Sequence, residues 1–170
     1  MTIWSERTIE ERNLLNPAFG SVLVWHLAKG YQQEATSNGE EKKIPMVLTF
    51  VGMSLVLRGN TRSSLPTKIT SSLATWISQN PLLRSAIAKS VSVLRPYVRE
   101  SIIFGANHKV FTFDEVSIVG ATSRTRQINK YLKTSSDEVR ECAKKALFIG
   151  RWLYRNGDSQ TVMAMLGVST

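Results

Sequence analysis

Three cations, Arg126, Lys130 and Lys133, carry the clearest chemistry in this chain, because side chains spaced four and then three residues apart fall on one face of a helix. With Gln127 and Asn129 beside them and Arg124 just ahead, residues 123–133 form a face suited to gripping phosphates without reading bases. The same spacing also suits an ordinary solvated face. An aromatic ladder for stacking single strands is missing, since Tyr131 stands alone in the segment.

A second group, Gly150, Arg151 and Trp152, combines a packing notch, a permanently charged fork and a large aromatic on successive positions. Successive helical residues point about 100° apart, so the three cannot all serve one internal core. With Leu147 and Gly150 inward, Arg151 and Trp152 are expected to turn partly toward another surface. Together with Arg155 they make the expected partner interface, since Trp and Arg dominate many interfaces. For Gly150 itself, packing between two helices of this chain is the alternative.

Catalytic groupings are scarce. His26 sits on an apolar face and reads as a satisfied core histidine, while His108 falls at a turn and reads as solvated. The single cysteine, Cys142, excludes an internal disulfide and a cysteine-cluster metal site. There is no Gly-rich phosphate loop ending in Lys-Ser or Lys-Thr, and the carboxylates are too scattered for a two-metal nuclease centre. We therefore expect a protein that is not an enzyme, with no catalytic, cofactor-binding or metal residues.

The formal charge of +9 is uneven along the chain. Residues 1–60 hold six basic and six acidic side chains, which leaves sixteen of the 22 basic and seven of the 13 acidic residues in 61–170. Such a field favours a polyanion or an acidic protein face as partner. The N-terminal MTIWSERTIEERN lacks the apolar stretch of a signal peptide, and the run Ile44 to Leu57 is shorter than the roughly 20 residues that cross a bilayer. A cytoplasmic location without membrane contact is expected.

The elements that must position these groups are mainly helices. Asn16-Pro17 and Asn80-Pro81 each signal a helix start, with Asn as cap and Pro in the first turn. Phe19, Leu23 and Leu27 give the first helix an apolar face that ends near Tyr31, and 32–43 reads as an exposed loop. Residues 46–57 are apolar all round; periodicity leaves helix and strand open, and length favours helix. Helices are then expected around Leu65–Ile77, Leu83–Leu94 and Val98–Phe104, the last two separated by a break at Pro96. Residues 109–120 carry the alternation of a hairpin around Asp114-Glu115. After the basic helix, Ser135 and Glu138 are spaced as a capping box for a long helix through Arg155; Gly157 ends it, and a short helix from Ser159 to Leu166 closes at Gly167.

The fold class expected is mainly α with a small β-hairpin. Three parts are distinguished: an N-terminal helical segment 1–60 with its loop 32–43, a winged-helix-like segment 61–120, and C-terminal basic and packing helices 121–170, all within one compact domain. Helices followed by a hairpin have the order of a winged helix. Its would-be recognition helix, residues 97–105, offers only Arg99, Glu100 and Ser101 as polar reach, so protein contact is the better reading than base readout.

Three stretches resemble a known family: residues 11–32 (ERNLLNPAFGSVLVWHLAKGYQ), residues 62–104, and residues 147–170, where Gly-Arg-Trp is followed by Gly-Asp and Leu-Gly-Val. The chain resembles the middle component of bacterial three-component ABC-ATPase conflict systems, a group that includes the accessory subunit of Lamassu-type defence. A departure lies at the end, where Ser169-Thr170 stand in place of the Arg-Pro expected in many relatives. The resemblance implies partnership with an SMC/Rad50-like ABC ATPase and with an effector subunit, often a nuclease, that responds to foreign DNA. The expected function is thus a non-catalytic adaptor in an antiphage or antiplasmid complex, with DNA contacted without sequence specificity. The rival is a winged-helix transcriptional regulator that binds operator DNA by itself.

Overall fold

The computed structural model describes residues 15–168 except residue 115. The expectations for the N-terminal 14 residues, for Glu115 of the hairpin turn and for Ser169-Thr170 lie outside the described residues. Eight helices and three short strands are described: α1 Pro17–Ser37, β1 Ile44–Pro45, α2 Met46–Leu57, α3 Gly59–Ser64, α4 Leu73–Gln79, α5 Pro81–Asn107, β2 Phe111–Asp114, β3 Ser117–Gly120, α6 Thr125–Thr134, α7 Asp137–Arg155 and α8 Ser159–Leu166. The protein is mainly helical with a small antiparallel sheet in the order β1-β3-β2. Ile44 pairs with Ile118, and Phe113 pairs with the same residue from the other side.

Local signals set most helix ends. Asn16 Oδ1 accepts from Ala18 N at 2.9 Å and Phe19 N at 3.4 Å, with Pro17 in the first turn. Asn80 works in the opposite sense from expectation: its Nδ2 donates to Trp76 O at 2.8 Å, closing α4, and its side chain does not cap α5. The cap of α7 is also shifted by one residue. Ser136 Oγ accepts from Val139 N, while Ser135 Oγ donates to Tyr131 O at 2.7 Å and so finishes α6.

Three expected boundaries need correction. Helix α1 runs on through the expected loop to Ser37, because Tyr31, Glu34 and Ala35 continue its buried face. The helix expected from Leu65 begins only at Leu73: Leu65, which precedes Pro66, is extended (φ −56°, ψ 144°), and Ser72 caps the new start. Pro96 does not break α5, which is continuous over 27 residues. Its ring faces solvent, where water can satisfy the carbonyl left without a donor, and buried Ile87 and Val91 before it and Tyr97 and Val98 after it hold both halves in place.

The core centres on α1, which packs against α7 on one side and α5 on the other, with the apolar α2 beside it. Two glycines make the first crossing possible. A Cβ at Gly150 would run into Leu27 O, and one at Gly30 would run into Leu147 O, so these helices meet backbone to backbone. On the other side Gly20 admits Tyr97 Oη, which donates to Asn16 O at 2.9 Å. Among the described residues no helix is long and apolar enough to cross a membrane.

Candidate nucleic-acid and partner interfaces

Helix α6 is strongly one-sided. Ile128 is buried and Leu132 packs on the core, while Arg126, Lys130 and Lys133 share the exposed face. These three cations have no hydrogen bond or ion pair with the described residues. With Asn129 and the hydroxyls of Thr122, Ser123 and Thr125 they line an open concavity of about 630 Å³. Hydroxyl and amide donors beside three unpaired cations suit the oxygens of a phosphate chain.

Arg124 departs from that group. Its guanidinium donates to His108 O at 2.8 Å, Lys109 O at 3.3 Å and Gln127 Oε1 at 2.6 Å. These bonds tie the start of α6 to the turn between α5 and β2, where Lys109 has a positive φ of 55°. Arg124 is therefore committed inside the chain. Lys29 fastens the neighbouring turn to α1 by donating to Thr122 Oγ1 at 3.2 Å.

The expected partner interface is built differently from its sequence reading. Trp152 is fully buried, donates from Nε1 to Ser71 O at 2.6 Å and meets Trp76 edge to face with ring centres 5.4 Å apart. The expectation that it turns outward is corrected: Ser71 O and the Trp76 ring, from other parts of the chain, meet the indole, an environment the helix's own spacing does not reveal. Arg151 and Arg155 project beside the glycine crossing and converge on Glu34, their Nε atoms donating to its two oxygens at 2.8 and 2.6 Å. Glu34 is only 2 % exposed, whereas the arginine side chains keep 41 % and 36 % exposure. Burial alone would raise the Glu34 pKa, but the hydrogen bonds and charges of the two arginines outweigh it and hold the carboxyl below its usual range.

Glu34, the buried carboxylate on which both arginines converge, is the residue that sequence reading missed. A signal was present, since Leu23, Leu27, Tyr31 and Glu34 continue one helical face past the point where composition turns polar. The histidines match their expected surroundings. Burial pushes the His26 imidazole below its ordinary pKa, and its Nδ1 lies 2.8 Å from Val22 O, a geometry suited to a neutral ring donating there. His108 is exposed and stacks on Phe104 with ring centres 4.0 Å apart. Cys142 is buried, which raises its thiol pKa. Among the described residues no group of three or more His, Cys, Asp or Glu side chains could hold a metal ion.

No curated protein and no solved structure matches the chain. Residues 4–170 match the family described as ABC-three component (ABC-3C) system Middle Component 3. That match spans the glycine-notched pair α1 and α7, the long α5 and the basic α6 alike, and the chain belongs to this middle-component family.

Proposed function

We propose that the chain is the non-catalytic accessory subunit of a Lamassu-type antiphage or antiplasmid complex in the bacterial cytoplasm. In this reading it links the heads of an SMC/Rad50-like ABC ATPase to an effector nuclease and to DNA. Membership of a middle-component family supports the adaptor role, because such a component has partners by definition. The observation that carries DNA contact is the exposed set Arg126, Lys130 and Lys133, unpaired among the described residues on one face of α6. It offers charge and donors for a backbone, and therefore affinity without sequence preference.

The order of elements supports a winged-helix-like reading that reaches back before residue 61. A helix, a short strand, further helices and a hairpin follow one another, and the short strand pairs with the second hairpin strand. In that reading helix α5 takes the part of the recognition helix. Its last turns bury Tyr97, Val98, Ser101, Ile102 and Gly105, and its outward polar reach there is chiefly Arg95 and Arg99. That is thin for base readout, which favours a winged helix used on protein over the operator-binding regulator.

The test is fluorescence anisotropy with two unrelated 20-base-pair duplexes over a salt series. Wild type should bind both alike, and Arg126→Glu with Lys130→Glu should weaken both equally, with the log–log salt slope falling by about 2 for two lost phosphate contacts. Unchanged affinity and slope would reduce the α6 face to solvated surface. Sequence-dependent binding by a symmetric dimer would favour the regulator instead.

A further inference from the structure

Helix α5 carries a second, differently built surface. Arg95 and Arg99, one turn apart and both exposed, form a ridge with an apolar recess on each side. One recess, about 270 Å³, is floored by Val47, Phe50, Val91 and Met163 from three helices. The other, about 410 Å³, lies along Pro96 and Ile103 with Glu100 at its edge, and Ile103 is 58 % exposed. Neither arginine makes a hydrogen bond or ion pair with the described residues. This differs from the α6 face, where the cations stand among hydroxyl- and amide-bearing residues.

We propose that this ridge and its two recesses dock a segment of another component of the same three-component system, one that sets carboxylates beside bulky apolar side chains. The proposal rests on the accessory-subunit reading. Charge complementarity selects the occupant: two guanidinium forks take carboxylates in paired bonds, and the flanking apolar floors take the neighbouring side chains. A nucleic-acid backbone would use the arginines and leave both apolar floors in water, so it fits less well. Anchors seated in pockets and framed by arginine are the pattern of dominant binding contacts.

The test uses the full complex, isolated through a tag on another component, with this chain carrying Arg95→Glu and Arg99→Glu together, the same pair changed to Ala, or Ile103→Asp alone. All sites are exposed, and thermal melts of each chain check folding. We expect each variant to cut retention of the chain by at least about tenfold, with both-to-Lys substitution restoring part of it and DNA affinity unchanged. A photo-crosslinker at position 103 should mark a partner peptide rich in Asp or Glu and large apolar residues. Undiminished retention of folded variants would overturn the docking site while leaving the accessory role standing. Cross-links to a second copy of this chain, or loss of DNA binding with retention intact, would also overturn it. Failure of the wild-type chain to join any component would overturn the accessory reading and this inference together.

Discussion

Helices α6 and α7 are neighbours in the chain and both present arginines, yet their cations do opposite work. On α7, Arg151 and Arg155 are drawn onto the buried carboxylate of Glu34, 117 and 121 residues away, and brace the crossing of α7 on α1. On α6, Arg126 and its lysine neighbours meet no acidic group among the described residues and face water. Residue type is the same; the pairing differs. An arginine held by a buried carboxylate is part of the architecture, while an unpaired one keeps its whole fork of donors for a partner.

The most severe way to break the comparison is at the crossing. Gly150→Val places a side chain against Leu27 O and near Tyr31 N, backbone atoms that cannot swing aside. We expect a loss of about 3 kcal/mol or more, or insoluble protein, against a change within about 0.5 kcal/mol for Gly59→Ala, whose site is open. Urea titration decides it; equal midpoints for Gly150→Val and wild type would refute backbone-to-backbone contact.

Arg151→Glu comes next. It removes one brace and sets a carboxylate beside Glu34, and should cost about 2–4 kcal/mol, less than a fully buried like-charge pair because Arg151 is 41 % exposed and water screens it. A residue serving only a partner would leave stability untouched, so an unchanged urea midpoint would refute the bracing role of Arg151.

Acid sharpens the same point with a smaller effect. The Glu34 carboxyl is held below its ordinary pKa of 4.5, so the folded state binds that proton less readily than the unfolded chain does. Its stabilisation is present in full above that value and disappears as pH falls through the lowered folded value. Glu34→Gln should therefore flatten the decline of melting temperature below about pH 4.5; parallel wild-type and variant curves would contradict the pairing. The smallest effect belongs to α6, where Arg126→Glu with Lys130→Glu should leave stability within about 0.5 kcal/mol while weakening DNA binding. A large drop in melting temperature would mean that those cations, too, have structural partners.

Much of the architecture was legible because it rests on neighbours in sequence. Asn16-Pro17, the apolar spacing of α1 and α7, the hairpin strands and the one-sided α6 depend on bonds within a few residues, and they lie where the residue pattern puts them. The same holds for the cations of α6, whose shared face follows from helical spacing alone. Tertiary structure decided the rest. Whether Pro96 interrupts a helix depended on core contacts on both sides of it, and whether Trp152 faces out depended on Ser71 O and the Trp76 ring meeting the indole. Glu34 looked like part of a polar loop until two arginines from the far end of the chain converged on it. A carboxylate's desolvation and the charges that offset it are properties of three-dimensional neighbours, which separations of more than a hundred residues hide from any local pattern.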